Sequence, residues 1–324
     1  MSAPVFVETA GRLHFGVLDL RGDAGRWFGG IGAAAPGPTL LVSAEPGERL
    51  LVDGADATRA AAFAARFMER QGLAGGATVR IHRALPPHAG LGSGTQLALA
   101  VARALAELHG IDVSVPGLAE AVGRGRRSAI GIWTFAGGGL VVEGGKRRDG
   151  DGCGPLLVRM PIPSSWRCVV AVPRAAGVAI SGAEETAAFA RLPPPAAREV
   201  EHVAHLVLIG LLPSLADGDL PGFGRALTEI QRLTGRWWAP VQGAAFASGP
   251  SAELVQRMSE WGAAGVGQSS WGPTVYGIVD GAEAGAKLAA RVREALGDSG
   301  EVHEGPFGKD GARVWRPHPA ELGA

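Results

Sequence analysis

The feature that most constrains this chain is a glycine-rich segment that runs directly into a long apolar-periodic one, "ALPPHAGLGSGTQLALAVARALAELHG". The periodicity predicts a helix that begins near Ser93, with the Ser93 side chain as its cap, and ends at Gly110. Glycine loops at helix starts expose backbone N–H groups and favour anion binding. The segment contains no lysine, so it is not the usual P-loop; a tight connection that binds nothing is the alternative. The candidate binding residues are Gly90, Gly92, Ser93, Gly94, Thr95 and Gln96.

Composition excludes several classes of partner. The 324 residues contain 31 basic and 31 acidic side chains, so no net field attracts nucleic acid or an anionic membrane. Two cysteines without metal-type spacing, Cys153 and Cys168, fit reduced thiols. The start "MSAPVFVETAGRLHFG" lacks the pattern of a signal peptide, and the longest apolar run, "HLVLIGLLPSLA", is too short to span a bilayer. We therefore expect a cytoplasmic protein.

The pattern of elements predicts two lobes. Short β-rich runs separated by glycine turns alternate with helices such as Thr58–Gln71 in the first half, and the texture changes near Trp166. From there, an apolar strand candidate is followed by several helices, a strand, another helix and a polar strand. The predicted fold class is α+β, with an N-terminal lobe over residues 1–163 and a C-terminal lobe over residues 164–324.

A second segment, "GRLHFGVLDLRGDAGRWFGG", concentrates polar side chains in a strand and turn. Residues two apart on a strand share a face, so Arg12, His14 and Gly16 are predicted to point the same way. Polar side chains on a buried strand are costly unless they are paired or face a site, and a solvated edge strand is the alternative. The charged residues that follow in this segment are Asp19, Asp23 and Arg26.

Two further segments carry candidate binding groups. "GRGRRS" places Arg124, Arg126 and Arg127 before a helix start, where guanidinium groups can bind phosphate or carboxylate in a bidentate manner; a basic surface loop is the alternative. "GVGQSSWGPTVYG" places three hydrogen-bonding side chains in an apolar, glycine-rich frame, with a rigid turn as the alternative. Those three are Gln268, Ser269 and Ser270.

The segment "GRWW", residues 235–238, contains two adjacent tryptophans. The pair can form an aromatic platform for a ligand, but an anchor that packs the two lobes together is the commoner role of such residues. The sequence alone leaves both interpretations open.

The four glycine-containing segments, in this order, resemble a known family. "LPPHAGLGSG" matches the Pro-x-x-x-Gly-Leu-Gly-Ser signature of the galactokinase, homoserine, mevalonate and phosphomevalonate (GHMP) kinase superfamily, starting at Pro86. Together the segments resemble the β-ribofuranosylaminobenzene 5′-phosphate synthases within it. The resemblance implies a two-lobed fold with a ferredoxin-like C-terminal lobe. It also implies a transferase that joins 5-phosphoribosyl-1-pyrophosphate to 4-aminobenzoate, releasing pyrophosphate and carbon dioxide, in methanopterin biosynthesis.

The resemblance also suggests roles for the candidate residues. The helix start at Ser93 and an arginine cluster would hold pyrophosphate, accompanied by Mg²⁺, with Asp19 or Asp23 as a metal ligand or a carboxylate near the sugar. His14 would move a proton because its ordinary pKa is near neutrality. Arg26 or the 124–127 cluster would orient the arene carboxylate.

Several alternatives stay open at this point. No organic cofactor is expected, a homodimer is one candidate assembly, and 4-hydroxybenzoate competes with 4-aminobenzoate as acceptor. The chain lacks the paired acidic motif of common phosphoribosyltransferases. An ATP-dependent small-molecule kinase is the principal alternative function, and a catalytically idle binding protein is the third.

Overall fold

The computed structural model describes residues 3–150, 152–174 and 182–317, which form two β-sheets and the helices around them. The strands are β1 (Val5–Asp19), β2 (Arg26–Gly47), β3 (Leu51–Gly54), β4 (Gly76–Arg83), β5 (Leu140–Glu143), β6 (Lys146–Arg147), β7 (Leu156–Met160), β8 (Trp166–Pro173), β9 (Gly265–Gln268), β10 (Val275–Asp280), β11 (Gly300–Pro306) and β12 (Arg313–Trp315). The helices are α1 (Ala57–Arg70), α2 (Ser93–Leu108), α3 (Val115–Ala121), α4 (Ile130–Gly137), α5 (Gly182–Arg191), α6 (Ala197–His205), α7 (Leu212–Asp217), α8 (Leu220–Gln242), α9 (Pro250–Glu260) and α10 (Ala282–Leu296). A π-helical segment, Leu206–Leu211, joins α6 to α7, and a 3₁₀ turn, Gly297–Ser299, follows α10.

The first lobe is an eight-stranded sheet built on the long hairpin of β1 and β2. Its main path runs β12-β1-β2-β4-β3; β5 and β6 also pair with β2, and β7 pairs with β5. Helix α2 lies against this sheet with its apolar face, from Leu97 to Ala106, almost wholly buried. Burial on this scale fixes the helix axis, and therefore also the position of the glycine loop at its N-terminus.

The second lobe is a four-stranded antiparallel sheet in the order β11-β8-β10-β9. Alternate residues of β8 pack into two different hydrophobic cores, because successive side chains on a strand point to opposite faces of the sheet. Val169 and Ala171 pack with α9 and α10, whereas Cys168 and Val170 pack towards α8 and the first lobe. The second sheet is thus covered on both faces.

Two details of the predicted organisation are corrected by the structure. Strand β12 pairs with β1, so the chain returns to the first sheet instead of ending within a second lobe that spans residues 164–324. Ser93 is not the cap of α2: Gly92 occupies the N-cap position, with φ 73°, and no side chain caps the helix. The N–H groups of Thr95 and Gln96 donate to the Gly92 carbonyl at 2.9 and 3.0 Å, so the N–H groups of Ser93 and Gly94 precede the first hydrogen bonds of the helix.

The helical run Ala197–Asp217, which includes "HLVLIGLLPSLA", is long and apolar enough by length and composition to cross a membrane. A single run of this kind is weak support for a membrane span. Its buried residues Val207, Leu211 and Leu215 belong to the same core as α8, while Leu208 and Ile209 are exposed. The prediction that this segment is too short to span a bilayer is therefore wrong, because the helix is longer than the apolar run alone.

The Ser269 hydroxyl connects three segments where the lobes meet. It accepts a hydrogen bond from the His14 N–H on β1 at 2.9 Å and donates one to the Gly90 carbonyl at 2.7 Å. Ser269 is fully buried, and its own N–H donates to the Thr274 carbonyl at 2.9 Å. The N–H of Thr274 donates in turn to the Ala89 carbonyl at 3.2 Å. These bonds hold the glycine loop, β1 and the second lobe in one register.

Ser269→Ala is expected to lower the free energy of unfolding by about 2 kcal/mol, because it removes two hydrogen bonds and leaves the buried His14 N–H without its acceptor. Urea denaturation measures the change. Ser259→Ala, on the exposed side of α9, is the control. Equal stability of the Ser269 and Ser259 variants would show that the junction does not depend on this hydroxyl.

Candidate functional site

A cavity of about 900 Å³ lies between the two lobes. Its wall combines β1, the start of β2, the glycine loop, the arginine loop before α4, one face of α8 and the segment after β9. The α8 contributors are spaced as one helical face, because residues three, four and seven apart align along a helix. They are Gln231, Thr234, Gly235, Trp238 and Gln242.

One half of the wall is cationic and surrounds the N-terminus of α2. The Arg12 side chain lies against Gly92, where an added Cβ would be 3.0 Å from Arg12 Cγ, and its guanidinium donates to the Gly90 carbonyl. A Cβ added at Gly94 would meet the guanidinium groups of Arg124 and Arg59. Glycine therefore lets three guanidinium groups approach uncapped backbone N–H groups, which is an arrangement suited to phosphate.

Arg59 is itself held by a carboxylate. Its Nε lies 2.9 Å from both oxygens of Asp56, which precedes α1. Asp56 adopts a left-handed backbone conformation at φ 62° and lies outside the cavity wall. The pair fixes the Arg59 guanidinium beside the glycine loop.

The loop before α4 adds Arg126 and Arg127 to the wall, followed by Ser128. The Ser128 hydroxyl lies 3.2 Å from Nε2 of His14. Five arginines therefore line the cavity, and the described part of its wall includes no Asp or Glu side chain. The electrostatic character of this half favours a ligand with several negative charges.

His14 is a neutral hydrogen-bonding group in this protein. Burial, with the adjacent Arg12 charge as the second cause, lowers the pKa of His14 from 6.5 to about 3. The expectation that His14 titrates near neutrality is therefore wrong, since it assumed an ordinary environment. The unprotonated ring nitrogen can accept a hydrogen bond, but it is a weak base.

A buried carboxyl group, Glu143 at the end of β5, supports two parts of the wall from behind. One oxygen accepts from the Ala129 N–H at 3.2 Å, just after the arginine loop, and the other accepts from the Gly145 N–H at 2.7 Å. Gly145 packs directly against the backbone of residues 27–29. Burial raises the pKa of Glu143 from 4.5 to about 7, although both hydrogen bonds act in the opposite direction.

The other half of the cavity is aromatic. Trp238 and Trp271 have ring centroids 4.6 Å apart, and Phe189 contacts both, at 5.0 and 5.7 Å. Phe28 packs edge-on against Phe189 at 5.3 Å. These four residues, which we call the aromatic wall, come from the start of β2, α5, α8 and the loop after β9.

Backbone strain is concentrated at this site. Among the described residues, four that are not glycine have positive φ, and three of them line the cavity. Non-glycine residues in this conformation persist only where the surrounding structure holds them, often at functional sites. The three are Phe28, His88 and Ser270.

Most of the residues predicted from the sequence meet at this cavity. The predicted face of β1 does so as a unit, because Arg12, His14 and Gly16 all line it, with strand bulges on either side of Arg12–His14. The other predicted residues in the wall are Gly90, Gly92, Ser93, Gly94, Thr95, Arg124, Arg126, Arg127, Gln268 and Ser270.

Two predicted binding residues lie behind the wall. Gln96 is fully buried, accepts from the Thr9 hydroxyl at 2.9 Å and donates to the Gly131 carbonyl at 2.9 Å. Ser269 forms the lobe junction described above. Both residues support the two loops from within the protein, so their segments reach the cavity although these two side chains do not face it.

Asp19, Asp23 and Arg26 also lie outside the wall. Asp19 accepts from the N–H groups of Arg21 and Gly22, at 2.6 and 3.1 Å, and so forms the turn after β1. Asp23 is exposed and pairs with Arg21, and Arg26 donates to the Gly145 carbonyl at 2.8 Å. The described residues include no group of three His, Cys, Asp or Glu side chains that could hold a metal ion. Asp19 and Asp23 therefore belong to the turn after β1, and Arg26 is bonded to the segment after β5, so none of the three faces the described cavity in this structure.

Sequence reasoning missed several residues of the site. Arg59 follows Asp56 by three positions, a spacing that favours the ion pair but says nothing about the glycine loop. Phe28 and Phe189 belong to elements that are distant in sequence, and Glu143 reads as the end of an ordinary strand. Of the aromatic residues at the site, Trp238 and Trp271 lie in sequence segments that were already considered as binding candidates, "GRWW" and "GVGQSSWGPTVYG".

Glu143→Gln tests the charge state of this buried group. Because the folded protein favours the protonated carboxyl, the stability that Glu143 contributes is present at low pH and is lost as pH rises through 7. Gln does not titrate, so the unfolding free energy of the variant minus that of the wild type should rise between pH 5 and 8, by on the order of 3 kcal/mol. Denaturant titrations at several pH values measure it, with exposed Glu69→Gln as the control. A difference that stays constant with pH contradicts the assignment.

Comparison with known proteins places the chain in a family. A family model for the N-terminal domain of GHMP kinases matches residues 57–137, and one for their C-terminal domain matches residues 211–298. The β-ribofuranosylphenol 5′-phosphate synthase of Methanothermobacter thermautotrophicus is 32% identical over 92% of this chain and 94% of its own length. The protein of the same name from Archaeoglobus fulgidus is 34% identical over 88% of this chain and 91% of its own length.

Solved structures share the two-lobed fold. Homoserine kinase from Cytophaga hutchinsonii superimposes with a TM-score of 0.71 at 18% identity, covering 97% of this chain and 98% of that one. Phosphomevalonate kinase from Streptococcus pneumoniae gives 0.69 at 14% identity, covering 94% of this chain and 100% of that one. Identities this low establish the fold alone, and the predicted GHMP-type α+β architecture is confirmed. The chain belongs to the family of the β-ribofuranosylphenol 5′-phosphate synthases, on the fold of the GHMP kinases.

Proposed function

We propose that this protein condenses 5-phosphoribosyl-1-pyrophosphate with 4-aminobenzoate to form β-ribofuranosylaminobenzene 5′-phosphate, an early step towards methanopterin coenzymes. The bond between C1 of the sugar and the diphosphate oxygen breaks, and its electron pair leaves with pyrophosphate. The ring carbon that bears the carboxylate bonds to C1. The bond to the carboxylate then breaks, carbon dioxide leaves, and that electron pair restores the aromatic ring.

The observation that carries this proposal is a wall with five arginines and, in its described part, no carboxylate. A donor with a phosphate at one end and a diphosphate at the other requires cationic groups over an extended surface. Charge develops on the departing diphosphate, and fixed guanidinium groups and the α2 N-terminus stabilise charge at that position without reorganising. We propose that Arg12, Arg59 and Arg124 bind one anionic end of the donor.

The absence of a strong base from the described wall also suits this chemistry. Substitution at the carboxylate-bearing carbon removes carbon dioxide instead of a ring proton, so no group must abstract a proton from carbon. His14, the titratable side chain beside Arg12, is neutral and weakly basic because burial lowers its pKa to about 3. Its proposed role is to accept a hydrogen bond and to orient Ser128, which lies 3.2 Å from Nε2.

The same observation supports this function over an ATP-dependent kinase. Protein kinases and P-loop enzymes use acidic side chains to hold Mg²⁺, and in protein kinases an Asp also accepts the proton of the attacking hydroxyl. The described wall offers neither of these groups. The shared glycine loop is therefore compatible with a phosphate-binding role that does not include phosphoryl transfer.

Mg²⁺ is proposed here as a companion of the donor. Mg²⁺ prefers carboxylate and water ligands, and the described cavity wall offers arginine, imidazole, hydroxyl and amide groups. These residues do not fit a metal held by the protein, so Asp19 and Asp23 are not proposed as ligands. A metal bound to the diphosphate would enter with the substrate.

The acceptor is the point on which the relatives' name and this proposal differ. The archaeal relatives are named for a ribofuranosylphenol product. A neutral amine donates electrons to the ring more strongly than a neutral hydroxyl does, and a phenolate would need a base that the described wall does not supply. We therefore propose 4-aminobenzoate over 4-hydroxybenzoate. We propose the cytoplasm as the compartment, in keeping with two unpaired cysteines, and a homodimer as one assembly to be measured.

The proposal is tested by incubating the protein with 5-phosphoribosyl-1-pyrophosphate and carboxyl-labelled 4-aminobenzoate. Labelled carbon dioxide and pyrophosphate should appear in equal amounts, and neither without the other substrate. In parallel at pH 7, 4-hydroxybenzoate should react more slowly, because its hydroxyl is largely protonated. ATP-dependent phosphorylation of a metabolite without carbon dioxide release would establish the kinase instead. Faster reaction of 4-hydroxybenzoate would reverse the choice of acceptor.

A further inference from the structure

The aromatic wall is not explained by lobe packing. The adjacent tryptophans of "GRWW" divide the two roles: Trp237 is buried with Val203 and Leu233, and its ring N–H lies 3.2 Å from a Glu199 oxygen. Trp238, the next residue on α8, lies in the cavity wall and is only half-buried. Trp237 therefore anchors α8 in the core. The position of Trp238 in the cavity wall is not explained by this packing role.

The other members of the aromatic wall share this exposure. Phe28, Phe189 and Trp271 all line the cavity, and each is half-buried. Phe189 makes near-perpendicular contacts with the other three rings, with interplanar angles of 81°, 80° and 77°. Edge contacts of this kind hold each ring in a fixed orientation. Four elements thus present ordered aromatic surface to the cavity, although such surface is normally buried.

A cation marks the border between the aromatic wall and the cationic half. The Arg127 guanidinium carbon lies 5.8 Å from the centroid of the Phe189 ring. A planar ligand stacked on the tryptophans thus has a guanidinium within the same cavity for an anionic substituent at its edge. An arene carrying one carboxylate has both features.

We infer that the aromatic wall is the binding subsite for the arene acceptor, with the ring stacked on Trp238 and Trp271 and its carboxylate directed towards Arg127. This inference rests on the proposed function and assigns the acceptor to residues that the sequence did not link. The phosphorylated donor occupies the cationic half around α2. Arg127 is a positioning residue, because a tight pairing with the carboxylate would oppose its loss as carbon dioxide.

Orientation follows from the two halves of the cavity. With its carboxylate near Arg127, the acceptor presents the carboxylate-bearing carbon to the cationic half, where the sugar lies. The para substituent then points along the aromatic wall, away from the arginines. A positively charged intermediate forms on the ring as the new bond is made, and the electron-rich faces of two indoles stabilise such a charge.

The subsite is tested by titrating 4-aminobenzoate into the full-length protein by calorimetry, with and without inorganic pyrophosphate. Trp238→Leu and Trp271→Leu should each raise the Kd for 4-aminobenzoate at least about tenfold, because they remove ring stacking. Trp238→Phe should retain most of the affinity. Pyrophosphate affinity should stay within about twofold of wild type in all three variants, which also shows that they are folded. Trp261→Leu is the matched control, since Trp261 lies on the second lobe outside this cavity.

Steady-state kinetics supply the second readout. The leucine variants should raise KM for 4-aminobenzoate and leave KM for 5-phosphoribosyl-1-pyrophosphate nearly unchanged. Wild-type turnover together with unchanged acceptor Kd and KM in both leucine variants would overturn the subsite alone. A wild-type protein that binds neither 4-aminobenzoate nor 4-hydroxybenzoate, with or without pyrophosphate, would overturn the proposed function and the subsite together.

Discussion

The arrangement of the site depends on one buried hydroxyl group. Ser269, from the second lobe, accepts from the backbone of β1 and donates to the carbonyl that begins the glycine loop. The same carbonyl of Gly90 accepts from the Arg12 guanidinium, so one oxygen joins the two lobes and a cation of the wall. A buried hydrogen bond is expensive to leave unmade, which makes this junction a fixed reference for the residues around it. The position of α8, and with it Trp238, follows from the same packing of the second lobe against β1.

Around this junction the cavity separates charge from aromatic surface. The cationic half is assembled in the first lobe, where glycines allow guanidinium groups to approach a helix start. The aromatic half is assembled mainly by α5, α8 and the loop after β9. Behind the wall, Glu143 accepts backbone hydrogen bonds from Ala129, just after the arginine loop, and from Gly145, which packs against the start of β2 where Phe28 lies. Each half can therefore bind a different part of a reacting pair while the lobes hold the two parts together.

Features that depend on local interactions could be predicted from the sequence, whereas features that depend on contacts between distant elements could not. The glycine loop and α2 could be predicted because helix periodicity and glycine spacing are local, and the shared face of Arg12, His14 and Gly16 follows from strand alternation. The Asp19 carboxylate lies outside the cavity because it accepts hydrogen bonds from nearby N–H groups of the turn, and the charge of the residue alone does not predict this local bonding. The lowered pKa of His14 could not be predicted from the sequence, because it depends on the burial of the ring. The aromatic wall and Arg59 depend on contacts between distant elements, which no local pattern encodes.

The central claim is that the new bond forms at the ring carbon that loses its carboxylate, in a site that does not remove a proton from carbon. Carbon-13 NMR of the product tests it directly, with the acceptor labelled at its carboxylate-bearing ring carbon and the donor labelled at C1. Direct coupling between the two labelled carbons is the predicted result. A labelled ring carbon that carries hydrogen or still carries its carboxylate, with the sugar attached at nitrogen or another ring carbon, would contradict it.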